Sequence, residues 1–174
     1  MVFRGTWRRE VTFGRGARPT KVAAKRSIMG SMGAQLQADM IKEVTVMVEW
    51  PHQNVLIVYG VCELPGLGLH VVCELMAGDL DEMIHSGAPL SRADAIRVSR
   101  DVAAGLAHLH AQNVMHCDLK PANVLLAIGA TVHAKVADFG ISRELAATLT
   151  KMTTVQGTVA YSAPEVLAEE QVSL

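Results

Sequence analysis

The run His116-Cys117-Asp118-Leu119-Lys120-Pro121-Ala122-Asn123 sets a carboxylate, an ammonium group and a carboxamide on one short stretch, and Asp138-Phe139-Gly140 adds a second carboxylate further along. Each residue type has a distinct use. A carboxylate can orient or deprotonate an attacking hydroxyl, and an ammonium can neutralise charge on a group in transit. An amide oxygen with a carboxylate suits magnesium, which keeps several waters and takes few protein ligands. Together these answer the demands of phosphoryl transfer, where positioning and charge stabilisation dominate. On this reading Asp118 handles the hydroxyl, Lys120 reaches the transferred group, and Asn123 and Asp138 are metal ligands. Taken singly, each has an ordinary reading as a turn or a solvated loop, so the case rests on order and context.

The elements that must position these residues can be read from periodicity. Val2-Phe3-Arg4-Gly5-Thr6-Trp7 and Thr20-Lys21-Val22-Ala23-Ala24-Lys25 alternate as strands do, with a loop containing GRGARP between them. Gly14-Arg15-Gly16 within that loop reads as a surface insertion. From Ala34 to Val48, Leu36, Met40, Val44 and Met47 line one helical face, and Pro51 closes it. Val55 to Val61 and Leu69 to Leu75 flank the turn-rich LPGLG, which predicts a hairpin. Ser91 and Asp94 then open a long helix, carried to Ala111 by Ile96, Val102, Leu106 and Leu109. Asn113 to Met115, Val124 to Leu126 and Val132 to Val136 are short β-prone pieces, and the ionisable residues of interest lie in the loops between them.

With 174 residues, half of them hydrophobic, the chain can build a sizeable core, and a net charge of −1 gives no field that would gather nucleic acid or an anionic membrane. Cys62, Cys73 and Cys117 are odd in number and form no C-x-x-C pair, so neither a disulfide framework nor a zinc site is expected. His52, His108 and His110 lack the cysteine or carboxylate companions of a ligand set and read as packing or surface residues, and His116 as loop support. Met29, Met32, Met40 and Met47 read as core fillers. No apolar run approaches a membrane span, and the thiols fit a cytoplasmic setting or the intracellular part of a larger protein.

From Val2 to about Leu167 the sequence resembles the eukaryotic-type protein kinases. Val22-Ala23-Ala24-Lys25 is similar to the family's V-A-I-K strand. The resemblance implies that Lys25 binds the α- and β-phosphates of ATP and pairs with Glu43. Gln156-Gly157-Thr158 through Ala163-Pro164-Glu165 resembles the end of the activation segment, which implies that Thr158 contacts the catalytic aspartate and lysine. By the same likeness Cys73 is the gatekeeper, Glu74 to Met76 the hinge, and Val2, Ala23 and Leu125 apolar walls around adenine. Lys120 and the GTxxYxAPE closure resemble serine/threonine enzymes, while VFRGTW and YGVCEL resemble the tyrosine-kinase-like group. The implied cofactors are ATP and Mg2+, and the implied partner is a protein bearing a serine or threonine hydroxyl.

Three features depart from the family pattern. Val2 matches the residue after the family's Gly-rich loop, which implies that this loop lies ahead of residue 1; its loss would weaken ATP binding. After Glu165 the family continues through further helices. The expectation is thus an incomplete two-lobed α+β fold, with residues 1–76 as partial small lobe and hinge and 77–174 as partial large lobe. Cys117 stands where many kinases carry an arginine that reads a phosphorylated activation loop, so activity is expected to depend less on phosphorylation at Thr148, Thr150, Thr153 or Thr154. The competing expectation is a catalytically inactive kinase-like fragment serving as a binding module, or a gene-model remnant.

Overall fold

Strand-forming and helix-forming sequence segregate along the chain, and the computed structural model follows that segregation over residues 2–7, 20–26, 44, 48, 50–87, 90–138, 143–144 and 158–164. The chain divides into two compact units, Met1–Pro51 with Leu56–Met76, and His52–Val55 with Ala77–Leu174.

The first unit carries a four-stranded antiparallel sheet of β1 (Val2–Trp7), β2 (Thr20–Arg26), β3 (Val58–Leu64) and β4 (Gly68–Glu74), in the order β1-β2-β4-β3. The LPGLG turn joins β3 to β4 as the hairpin reading requires, with Leu67 N–H donating to the Leu64 carbonyl oxygen at 2.9 Å. In β2, Val22 and Ala23 are both buried while Lys25 is exposed. Ala23 lies opposite Cys73 on β4, and both join Val44 and Val58 in the core of this unit. Val44 and Val48 are helical; the rest of the expected helix from Ala34, with its methionines, lies outside the described residues, as does the Gly14-Arg15-Gly16 loop.

The second unit begins with β5 (Gly78–Asp79) and α1 (Leu80–His85), a helix that periodicity did not disclose because it is short and holds no fully buried residue. Asp79 caps α1, its carboxylate accepting from the Glu82 N–H at 2.8 Å. Helix α2 (Arg92–Ala111) starts at Ser91, whose hydroxyl accepts from the Asp94 N–H. It ends where Asn113 turns left-handed at φ 58°. Its buried line is Val98, Asp101, Gly105 and Leu109. Ile96 is 63% exposed, contrary to its expected place on the buried face. At 100° per residue it points well away from Val98, and Val102 and Leu106 fall on the half-buried flank. Against α2 packs the sheet β5-β7-β8, with β7 (Val124–Ile128) and β8 (Val132–Val136) forming a hairpin. The pair β6 (Val114–Met115) and β9 (Arg143–Glu144) lies apart from that sheet.

Strand β8 is an edge strand inside a packed unit, so its outward backbone groups need partners. The Ala134 N–H donates to the Asp101 carboxylate at 3.2 Å and the Val136 N–H to the Asn54 carbonyl at 2.9 Å, while the Asn54 amide donates to the Ala134 carbonyl at 3.0 Å. This explains two buried polar residues in the middle of apolar surroundings. It also shortens the expected strand from Val55: residues His52–Val55 run along β8, with Val55 bridging Val136, and β3 starts only at Val58. The His52 and His108 rings stack at 4.7 Å. Burial, together with the His108 and Lys135 charges, lowers the His52 pKa, in line with a packing role for both rings.

Replacing an interior helical glycine by alanine ordinarily gains up to about 1 kcal/mol. At Gly105, however, a methyl group would press on the Asn54 carbonyl oxygen and meet Val136 Cγ2 at 3.1 Å. Gly105→Ala is therefore expected to destabilise by about 1–3 kcal/mol in a denaturant titration, and a gain would contradict this packing. For the thiols, burial pushes Cys73 up to about 11, with the Glu74 charge adding to the effect and Lys25 opposing it. At neutral pH maleimide should label half-buried Cys62 and Cys117 in the native protein while sparing Cys73, as read by peptide mass spectrometry.

Candidate active site

The segment after β6 is built around the Asp118 carboxylate. Its Oδ1 accepts from the Thr158 N–H at 2.9 Å and the Thr158 hydroxyl at 3.0 Å, and its Oδ2 accepts from Lys120 Nζ at 2.7 Å and Asn123 Nδ2 at 3.1 Å. Lys120 also donates to Thr158 Oγ1 at 2.7 Å, closing a ring of three side chains. Burial, the largest influence on Asp118, pushes its pKa up, but the hydrogen bonds from Lys120 and Thr158 and the Lys120 charge prevail and hold it below the ordinary value. The group is an ionised acceptor at neutral pH.

Local backbone chemistry brings the amide and the ammonium to that carboxylate. Lys120 is extended, and Pro121 opens a single 3-10 turn, Pro121–Asn123, a position where its missing N–H costs nothing. The turn closes with the Asn123 N–H on the Lys120 carbonyl at 2.9 Å, which swings buried Asn123 back toward Asp118. There Asn123 Nδ2 donates to both the Asp118 carbonyl oxygen at 2.8 Å and Oδ2 at 3.1 Å. Both amide hydrogens are thus used, and Oδ1 is the atom left to face a cation.

Asp138 is delivered to the same region by the end of β8. The preceding Ala137 donates its N–H to the Asn123 carbonyl at 2.9 Å, and its own carbonyl accepts from His116 Nε2 at 2.9 Å. Because a carbonyl can only accept, His116 carries its proton on Nε2, and Nδ1 accepts the Asp118 N–H at 3.3 Å. His116 therefore links the Asp118 loop to the Asp138 strand, a connection that sequence reading reduced to loop support. Burial lowers its pKa and outweighs the Ala137 hydrogen bond and the Asp118 and Asp138 charges, which act the other way. Cys117 and Asp138 both adopt left-handed backbone, at φ 64° and 67°. Asp138 itself is exposed.

Other expected site residues fall in the first unit. Lys25 sits on β2 opposite Val2 on β1 and Val71 on β4. Cys73 donates its thiol hydrogen to the Ala23 carbonyl at 3.6 Å. Glu74 holds β4 against the segment before β3: its N–H donates to the Ile57 carbonyl at 3.0 Å and its carboxylate accepts the Ile57 N–H at 2.7 Å. Met76 follows the strand and is half-buried; Leu125, half-buried on β7, belongs to the second unit. Val2 is described through its backbone pairing only. Glu43, Phe139, Gly140, Gln156, Gly157, Glu165 and the threonines at 148, 150, 153 and 154 lie outside the described residues.

The protein kinase domain family matches residues 12–174 of this sequence. The chain belongs to the protein kinase family. A "Probable serine/threonine-protein kinase" of Dictyostelium discoideum is 38% identical over 154 residues, covering 86% of the chain and 9% of that relative. The human mitogen-activated protein kinase kinase kinase kinase 3 is 36% identical over 131 residues, 75% of the chain and 14% of its own length. A dual specificity protein kinase of D. discoideum is 33% identical over 159 residues, 88% of the chain and 22% of the relative. The chain thus spans a small part of the curated relatives it matches. Kinases as a family use ATP and magnesium, and the donor chemistry of Asn123 and Asp138, an amide oxygen and a carboxylate, fits such a cation. Among the described residues no helix is long and apolar enough to cross a membrane.

The neutral, buried state of His116 has a pH consequence. Its folded pKa lies below the ordinary 6.5, so the unfolded chain takes up a proton first as pH falls. The stability contribution is complete above about 6.5 and is lost progressively below it. In urea titrations the unfolding free energy should decline as the pH falls from neutral through about 6.5. His116→Phe should lower it by about 1–3 kcal/mol at neutral pH, through two lost hydrogen bonds, and flatten the decline. An unchanged slope in that variant would assign the acid sensitivity elsewhere.

Proposed function

We propose that this chain is the catalytic segment of a protein serine/threonine kinase that moves the γ-phosphoryl group of ATP to a protein hydroxyl. The observation that carries this reading is the Asp118 carboxylate held by Lys120, Thr158 and Asn123. An ionised carboxylate has about four acceptor directions, and all four are filled. The Thr158 hydroxyl at 3.0 Å is chemically the same group as a serine or threonine substrate and illustrates the contact such a hydroxyl would make with Asp118.

With its pKa held low, Asp118 aligns the attacking hydroxyl and takes its proton late, as the new bond forms. Lys120, whose ammonium already bridges Asp118 and Thr158, is placed to neutralise charge gathering on the transferred group. Lys25, paired with Glu43, would hold the α- and β-phosphates. Val2, Ala23 and Leu125 would pack on adenine, with Glu74 and Met76 offering backbone groups. Asn123 through Oδ1 and Asp138 through its carboxylate would hold magnesium, which when bound neutralises phosphate charge. The left-handed Cys117 carries a thiol in place of a guanidinium, which supports weak dependence on activation-loop phosphorylation. The retention of these polar residues speaks against an inactive binding module. A cytoplasmic setting fits the free thiols.

Asp118→Asn keeps the shape while removing the charge that orients the hydroxyl. It is expected to slow phosphoryl transfer from labelled ATP to a serine- or threonine-bearing protein about a hundredfold or more. The ATP-induced thermal shift should persist. Turnover equal to that of the unaltered chain would remove Asp118 from the mechanism.

A further inference from the structure

Away from the Asp118 loop, three side chains of the second unit form a separate relay. Thr131 Oγ1 lies 2.9 Å from His133 Nε2, and His133 Nδ1 lies 3.3 Å from Asp101 Oδ2. Thr131 sits in the β7–β8 turn and the more than half-exposed His133 on β8, while Asp101 is 3% exposed on α2. Asp101 Oδ2 also accepts the Ala134 N–H at 3.2 Å, and Oδ1 accepts from Arg100 at 3.0 Å. Burial pushes the Asp101 pKa up, but these hydrogen bonds and the Arg100 charge together lower it, so the carboxylate is ionised.

An ionised carboxylate has no proton to give, so His133 Nδ1 carries the hydrogen of that contact. In the neutral ring Nε2 is then an acceptor, and the Thr131 hydroxyl must be the donor at 2.9 Å. A hydroxyl donating to an imidazole that is oriented by a buried carboxylate has a base in place for its proton. Thr131 is exposed, so its oxygen is open to a small electrophile.

We propose that Thr131 is a base-assisted acyl acceptor for small activated acyl donors, with His133 as general base and Asp101 as the residue that positions it. In the step, Thr131 Oγ1 bonds to the acyl carbon and the bond from that carbon to the leaving group breaks. The hydroxyl proton passes to His133 Nε2 and then to solvent, with no change of oxidation state. The Gly129 N–H, the neighbouring backbone donor of the turn, is already directed at the Thr131 carbonyl at 3.3 Å and not at an incoming oxyanion. The outcome is therefore one ester per chain and not sustained turnover.

The experiment treats the whole chain with p-nitrophenyl acetate and follows acetylation residue by residue by peptide mass spectrometry. Ser99 is the internal reference, an exposed hydroxyl that donates to the Ala95 carbonyl at 2.9 Å, a group that cannot take its proton. Thr131 is expected to acetylate about a hundredfold faster than Ser99, and His133→Gln to bring it down to the Ser99 rate. Equal rates at Thr131 and Ser99 in the unaltered protein would overturn the proposal without need of any variant. Unchanged Thr131 labelling in His133→Gln would overturn it equally.

Discussion

An ionised carboxylate that is largely shut away from water must be surrounded by donors, and in this protein that requirement at Asp118 organises the loop after β6. Lys120, Asn123 and both donors of Thr158 converge on two oxygens. Each is supplied by a different device: an extended residue, a proline-initiated turn, and a segment from far along the chain. The charge on Asp118 is what draws those devices together, so the same bonds serve the loop's shape and the chemistry proposed for it.

Strain and its compensation are concentrated in the same place. Left-handed backbone at non-glycine residues costs about 1–2 kcal/mol each, and Cys117 and Asp138 both adopt it. Hydrogen bonds beside them offset that cost: His116 grips the Ala137 carbonyl with one nitrogen and the Asp118 N–H with the other, and Asn123 receives the Ala137 N–H. The loop and the end of β8 are thereby one hydrogen-bonded piece. At the free edge of β8 the solution is different, because Asp101 and Asn54 cap the strand from a helix and from residues His52–Val55. Both arrangements follow from the rule that buried backbone groups must be paired.

Much of this was legible in the amino acids. The helix opening at Ser91, the hairpin around LPGLG and the short strands after Asn113 follow from caps, turns and apolar spacing, all local signals. The Asp118, Lys120 and Asn123 set was readable because its members are close in sequence. Other features were hidden. Ile96 carries the right spacing for a buried position, yet which side of an amphipathic helix is covered depends on where the sheet lies. Val55 reads as part of a strand toward Val61, but it pairs with β8 instead. Asp101 did carry a sequence signal, a carboxylate in the middle of an apolar stripe.

By itself the sequence determined the types of the longer elements, the order of the kinase motifs and the chemical groups available, because these depend on residue identity and near-neighbour spacing. The contact of Thr158 with Asp118 and Lys120 was implied by the family resemblance, but only the tertiary structure decided that His116 ties Asp118 to Asp138 and that Thr131, His133 and Asp101 align. Those contacts join residues far apart in the chain, and their distances and proton directions are set by how strands and helices pack. No local pattern encodes a hydrogen bond whose partner arrives from another element.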